Sequence, residues 1–163
     1  MNEAHWHLLL NHTPILGTLF GLLLLAIGML RHHTPAVRIG LITVLISALL
    51  CIPTQLTGEG AEEVVEDMPG VTHTLIHEHE EAAEVGFWAL EATGVLALLA
   101  LLMPTRGHLL SGLTLAATAA SFGLLARAGT LGGQITHAEV RPAGAKTEVA
   151  GPARPSEEQE DHK

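Results

Sequence analysis

Four long apolar runs limit the fold of this chain more than any other feature. They cover residues 14–30, 37–52, 85–103 and 108–128, and their lengths of about 16 to 21 residues are close to the roughly 20 that a helix needs to cross a bilayer. With 48% hydrophobic and only 15% charged residues, the chain is also too apolar for an ordinary soluble domain. The sequence therefore predicts an all-α, polytopic membrane protein, a four-transmembrane-helix up-down-up-down bundle.

The predicted membrane domain covers residues 1–139, with spans at about 13–31, 37–55, 84–104 and 107–129. Its direction is indicated by Arg31 and Arg38 beside the first short loop and by Arg106 in the second, since neither loop contains an acidic residue. Because basic loops stay in the cytoplasm, we expect both termini and the outer connection 56–83 to be extracytoplasmic. The net charge of −9 argues against nucleic acid as a partner, because phosphates need a basic surface.

The outer connection leads into a long third helix. Residues 58–67 predict a short acidic helix, which the sequence Met68, Pro69 and Gly70 ends. No later breaker occurs, so the third helix is expected to be continuous from about 71 to 103 and to extend outside the bilayer. The tail 140–163 is rich in Pro, Ala and Glu, a composition that stays disordered unless a protein partner holds it.

Small residues at a spacing of four predict close helix packing in two spans. Gly17 and Gly21 form a GxxxG pair, and Ala119 and Gly123 form a second pair of the same kind. Small residues let two helix backbones approach each other in lipid. The alternative is that the glycines make room for a flat cofactor.

Side chains that can bind metals follow one stripe at the start of the third helix and into its span. The spacing i, i+4, i+7, i+11 and i+18 relates His73, His77, Glu80, Glu84 and Glu91. Imidazole and carboxylate at such spacing can share a metal ion, whereas His79 points off the stripe. The alternative is a solvated helix end that binds nothing.

Two charged residues of the predicted spans, Glu91 and Arg127, need either a partner or a route to water. Glu91 is the only acidic residue inside a span and should be neutral, paired or hydrogen-bonded, because an ionised carboxylate is costly in lipid. Its candidate partners are Thr18, Thr93 and Ser121. A proton relay or a quinone contact is the alternative role of Glu91. Arg127 is expected at the membrane surface, where it extends to the interface, pairs with Glu84, or holds an anion such as a haem propionate.

Three outer helix ends are each expected to present a histidine towards one region: His77 and His137 at a similar height, and His12 lower, at the membrane surface. Facing helices of a four-helix bundle build cofactor sites in this way. The predicted cofactor-binding residues are therefore His12, His77, His137 and Arg127. The predicted ligands of a divalent transition metal are His73, His77, Glu80, Glu84 and His137. On this prediction His77→Ala removes the cofactor and His79→Ala leaves it bound.

Several segments resemble a bacterial family of four-helix integral membrane proteins of unknown function. They are HWHLLLNHTPILGTLFG, PTQLTGEGAEEVVEDMPG, HEEAAE and RAGTLGGQITHAEVR, within residues 5–141. The chain also resembles, more distantly, a larger family of unknown function that shares an element before the first span and another at the end of the fourth helix. The matching residues are His7, His12, Pro14, Gly132, Gly133 and His137. That larger family is in turn distantly like the membrane di-haem cytochrome b superfamily. The resemblance implies the bacterial cytoplasmic (inner) membrane and haem b or another metal near the outer surface. The departure from that superfamily is that no histidine lies in mid-membrane, since His32, His33 and His108 are loop residues.

The leading functional hypothesis is a redox-associated membrane protein that binds one haem b or a metal ion at the extracytoplasmic end of the bundle. It would serve a larger electron-transfer complex that contacts the outer face and the tail. The alternatives are a structural accessory subunit without a cofactor and an extracytoplasmic metal-handling protein. No pair of nucleophile and base is recognisable, so an enzyme is the least favoured class.

Overall fold

The computed structural model describes residues 3–142 of the 163-residue chain. Within this range the chain forms only helices and turns, and a tail from residue 143 onward lies outside the described residues. Short 3₁₀ turns occur at Pro104–Arg106 and Ala138–Val140. The α-helices are α1 Glu3–Leu10, α2 His12–Leu30, α3 Thr34–Leu56, α4 Gly58–Val65, α5 His73–Leu102 and α6 Gly107–Thr136.

Four helical segments are long and apolar enough to cross a membrane. They are Glu3–Leu30, which combines α1 and α2, and the three helices α3, α5 and α6. Their outward surfaces carry large apolar side chains such as Phe20, Ile46 and Trp88, which are 58%, 49% and 63% exposed. Such surfaces suit lipid rather than water. The prediction of an all-helical protein with four helices able to span a membrane is confirmed.

Glycines bring α2 and α3 into close contact. A Cβ built on Gly21 would lie 2.6 Å from the Val44 side chain, and one on Gly28 would lie 2.6 Å from the Val37 backbone nitrogen. Gly17 faces Ser47 in the same way, so the predicted packing role of the Gly17–Gly21 pair is confirmed. The facing residues fill the space that a flat cofactor would need between these two helices.

The second predicted pair of small residues does not pack within the described chain. Ala119 and Gly123 are both exposed, and a Cβ built on Gly123 would meet nothing within 4 Å. The prediction for this pair is wrong, because the buried face of α6 is set by other residues of that helix, including Thr118, Ser121 and Leu125.

Helix α5 packs mainly on α6 and α3. A hydrogen bond of 3.0 Å joins the buried hydroxyls of Thr93 and Ser121 across α5 and α6. On the side of α3, Gly94 lies against Ala48, and Leu90 belongs to an apolar cluster with Ala48 and Leu125. Polar and apolar contacts thus both tie α5 into the bundle core.

Helix α5 is one uninterrupted α-helix of 30 residues. The turn before it contains Gly70 at φ 83°, a left-handed conformation that glycine adopts without strain. The Thr72 hydroxyl accepts a hydrogen bond from the Leu75 N–H (3.3 Å) and caps the first turn. No break occurs between His77 and Phe87, so the predicted continuity of this helix is confirmed, and α4 is the short acidic helix expected before it.

Candidate functional site

One half-buried histidine lies on the short helix α1. His7 places its Nδ1 atom 3.1 Å from the Thr54 carbonyl oxygen and 3.3 Å from the Thr57 hydroxyl, both at the end of α3. Helix α1 also packs on α4 and on the start of α2. The imidazole of His7 is therefore held at the point where α1 covers the end of α3.

A second half-buried histidine lies on α5 and faces α6. The Nδ1 atom of His79 is 2.9 Å from the Ala128 carbonyl oxygen. Its ring lies over Gly132, where a built Cβ would be only 3.0 Å from the ring carbon Cε1. A glycine at position 132 thus leaves room for the imidazole on the surface of α6.

His7 and His79 form the histidine pair. Each Nδ1 atom is within hydrogen-bond distance of a backbone carbonyl, which accepts but does not donate, so each Nδ1 carries the proton of the neutral ring. Neither Nε2 atom has a hydrogen-bond partner among residues 3–142. The two rings are close enough that their charges would repel if both were protonated. Neutral imidazoles with a bare Nε2 and a carbonyl behind Nδ1 are the form in which histidine binds metals.

An unsatisfied acceptor lies one helical turn from His7. The Asn11 N–H donates to the His7 carbonyl at 2.8 Å, while the Asn11 Oδ1 atom is buried and has no hydrogen-bond partner in the described part of the chain. Buried polar groups normally have a partner. The region around His7 therefore contains two atoms with unused lone pairs, the His7 Nε2 atom and the Asn11 Oδ1 atom.

Comparisons with protein-family models, with curated proteins and with solved structures found no match for this chain. The relationship to the di-haem cytochrome b superfamily stays a prediction.

The predicted ligand stripe lies on the exposed side of α5. His73, His77, Glu80 and Glu84 are all exposed, and the His77 Nε2 atom pairs with Glu81 Oε1 at 3.3 Å. The buried face of α5 is set by Ile76, Ala82, Gly86 and Leu90, and His79, three residues after Ile76, falls on that face. His79, which was expected to point away from the site, is the histidine that contacts α6.

The other predicted cofactor-binding residues also lie apart. His12 and Arg127 are exposed and form no hydrogen bond or ion pair with residues of the described range. His137 is exposed and pairs with Glu139 Oε1 at 3.1 Å. Over residues 3–142, no three His, Cys, Asp or Glu side chains are grouped so that they could hold a metal ion. The side chains of the predicted ligand sets are thus not assembled into one site.

Part of the stripe does meet a residue that the sequence analysis missed. Glu62 on α4 shares a hydrogen bond with the Glu80 carboxyl, and this bond, followed by partial burial and the charge of Glu80, raises the pKa of Glu62. His73 opposes the shift. These three residues and His77 line a cleft of about 480 Å³ between α4 and α5. A carboxyl whose pKa is raised keeps its proton to a higher pH and can donate a hydrogen bond to a neighbouring carboxylate.

Glu91 has none of its predicted partners. Its Oε1 atom is buried and without a hydrogen bond in the described residues. The Thr93 and Ser121 hydroxyls bond to each other, and Thr18 donates to the Pro14 carbonyl of its own helix. Glu91 instead lies near the buried thiol of Cys51. Its role in the membrane stays open to the alternatives of a proton relay or a quinone contact.

Proposed function

We propose that this chain is an integral membrane protein that binds one haem b, or a divalent transition-metal ion, through His7 and His79. The proposal keeps the site near the extracytoplasmic end of the bundle but replaces the predicted ligands by the histidine pair. The observation that carries it is that two imidazoles from different helices each hold Nδ1 against a carbonyl and leave Nε2 bare.

The chemistry of the histidine pair fits a metal centre better than it fits a packed core. A half-buried imidazole with an unused Nε2 lone pair is an incompletely satisfied polar group, and such groups cost free energy on burial. Backbone carbonyls behind Nδ1 fix the tautomer and the ring orientation, as the outer hydrogen bonds of metal-binding histidines do. Imidazole suits iron, copper, zinc and nickel. When bound, a haem iron would supply one-electron transfer.

We further propose the up-down-up-down topology with both short loops in the cytoplasm. The facing pairs Gly28–Val37 and Gly17–Ser47 on α2 and α3 support opposite helix directions, as do the pairs Gly86–Leu125 and His79–Gly132 on α5 and α6. On this topology α1, α4 and the first turns of α5 stand at the extracytoplasmic surface of a bacterial inner membrane. An electron-transfer complex is the proposed partner of that surface.

Absorption spectroscopy and metal analysis of the purified protein test the proposal. The unmodified protein, extracted from its native membrane in mild detergent, should show a haem band or a stoichiometric metal. His79→Ala and His7→Ala should each lower the bound amount about tenfold or more, and added imidazole should restore part of it. The matched control is His77→Ala, which removes an exposed imidazole two residues away and should leave binding unchanged.

Unfolding of each variant, followed by circular dichroism, separates loss of a ligand from loss of the fold. Binding should weaken as the pH falls, because imidazole binds a metal only when it is not protonated. An unmodified protein without haem or metal would favour the cofactor-free accessory subunit. If His77→Ala loses as much bound cofactor as His7→Ala and His79→Ala, the histidine pair is not the site.

The cleft between α4 and α5 supports a second candidate, an extracytoplasmic metal-handling function. The Glu62 and Glu80 carboxyls lie close enough to interact, and His73 lines the same cleft, so the two carboxyls would be the ligands. A divalent cation would compete with protons for these carboxyls, since carboxylates bind metals only when ionised. In the same metal analysis, loss of metal in Glu80→Gln but not in His79→Ala would favour this candidate.

A further inference from the structure

A cleft of about 340 Å³ lies where the two short loops of the bundle approach each other. The end of α2, the loop residue His32 and the start of α3 form one wall, and the start of α6 forms another. The polar residues that line it are His32, Thr34, Arg38, His108 and Ser111. It is separate from the histidine pair, since neither His7 nor His79 lines it.

The charge of the cleft is positive and has no counterion within the described chain. Arg38 is exposed and forms no ion pair or hydrogen bond with any of residues 3–142. No Asp or Glu occurs between residues 14 and 58 or between residues 92 and 138. Arg31 and Arg106 on the adjoining loops add to the potential, and His32 and His108 add charge when protonated. An unpaired guanidinium is a strong partner for a phosphate group.

A largely buried serine in the wall of the cleft has a hydroxyl without a partner among the described residues. Ser111 is only 5% exposed, yet its hydroxyl makes no hydrogen bond with any described residue. Two other buried hydroxyls of α6 donate to the carbonyl one turn earlier, Thr114 to Leu110 at 2.8 Å and Thr118 to Thr114 at 2.6 Å. Ser111 therefore retains a donor that a molecule in the cleft would use.

The start of α6 supplies further donors. Gly107 and His108 open this helix beside the cleft, and the N-cap residue Arg106 forms no capping side-chain hydrogen bond. The first N–H groups of a helix have no partner within the helix and carry partial positive charge, so they attract anions. Together with Arg38 and Ser111, they form a donor set for an oxyanion.

The remaining walls of the cleft are apolar, with Val37, Leu41 and Leu101 among them. These side chains belong to helices that are candidates to span the membrane, so the apolar walls continue from the polar mouth toward the hydrocarbon. We infer that this cleft binds the headgroup phosphate of an anionic phospholipid, with Arg38 and Ser111 as its ligands and an acyl chain along the apolar walls. A free phosphate compound would share the donors but would leave the apolar walls unused.

Native mass spectrometry of delipidated protein in dodecyl maltoside tests the inference. Dioleoyl phosphatidylglycerol, dioleoyl phosphatidylcholine and inorganic phosphate are added in separate titrations. The phosphatidylglycerol adduct should form at about tenfold lower lipid concentration than the phosphatidylcholine adduct. Arg38→Gln should abolish this preference, because a hydrogen bond to a charged group accounts for about a tenfold change in affinity. Ser111→Ala should weaken binding about threefold or more.

The matched control is Arg31→Gln, which removes an exposed arginine of the loop before α3 that does not line the cleft. It should change lipid binding less than about twofold, and Arg38→Lys should retain part of the preference. Equal binding of the two lipids, or equal loss in Arg31→Gln and Arg38→Gln, would overturn the inference. Inorganic phosphate that binds through Arg38 without any lipid preference would overturn the assignment to a lipid.

Discussion

Replacement of Gly28 by alanine tests whether α2 and α3 touch as closely as described. The new Cβ would lie 2.6 Å from the Val37 backbone nitrogen, 2.9 Å from the Val37 Cγ2 and 3.1 Å from the Ala36 carbonyl carbon. Because two of these atoms belong to the backbone, a rotamer change does not relieve the contact and the helices have to separate. Overpacking of this kind costs about 1–3 kcal/mol. The higher helix propensity of alanine offsets about 0.8–1 kcal/mol of this loss of stability.

The net expectation for Gly28→Ala is thus a loss of about 0–2 kcal/mol of stability. Gly123→Ala is the matched control, because its Cβ would meet nothing within 4 Å and only the gain of about 0.8–1 kcal/mol applies. The free energy of unfolding, measured by titrating detergent-solubilised protein with sodium dodecyl sulfate under circular dichroism, should differ by about 1–3 kcal/mol between the two variants. A Gly28→Ala protein as stable as Gly123→Ala would refute the close contact of α2 and α3.

Two further predictions concern α4 and the topology. The pKa of Glu62 is raised by its hydrogen bond to Glu80, so the contact between α4 and α5 is strongest below the ordinary glutamate pKa and weakens as the pH rises through the raised value. Glu62→Gln keeps a hydrogen-bond donor without the charge, so it should remove this pH dependence from the amide-exchange protection factors of α4. A pH profile that is unchanged in Glu62→Gln would contradict the prediction. In a Cys51→Ala background, a membrane-impermeant maleimide added to spheroplasts should label Ala145→Cys and miss Thr34→Cys, and the reverse pattern would exclude the proposed orientation.

The sequence was sufficient for the helices and insufficient for the site. The spans follow from run length and hydropathy, which are local properties. The continuity of α5 follows from the absence of proline or of a turn sequence between Gly70 and Leu102. Helical phase also placed His77 and Glu84 correctly on one face. Phase does not say which face is buried, since that depends on the neighbours that the helix meets.

His79 illustrates the missing information. Its position three residues after Ile76 and seven before Gly86 puts it in phase with the buried face of α5, and that signal was present in the sequence. The sequence did not show that Gly132, 53 positions further along, faces His79 and makes room for its ring. Glu62 was missed for the same reason, because its partner Glu80 lies on another helix. The cleft at the short loops likewise joins Arg38 and Ser111 only after the helices have packed.

The close packing of α2 on α3 has a consequence for how the protein reaches its membrane. Gly28 and Val37 touch and are only nine positions apart in the sequence. The connection between α5 and α6 is also short, since it consists of the 3₁₀ turn at Pro104–Arg106. Contacts between residues near in sequence form early, because they close short loops. Under the proposed topology, each of these two helical hairpins can leave the insertion machinery already paired, with its backbone polar groups satisfied. The contact of Ala48 with Gly94 then becomes the late step that joins two preformed halves within the lipid.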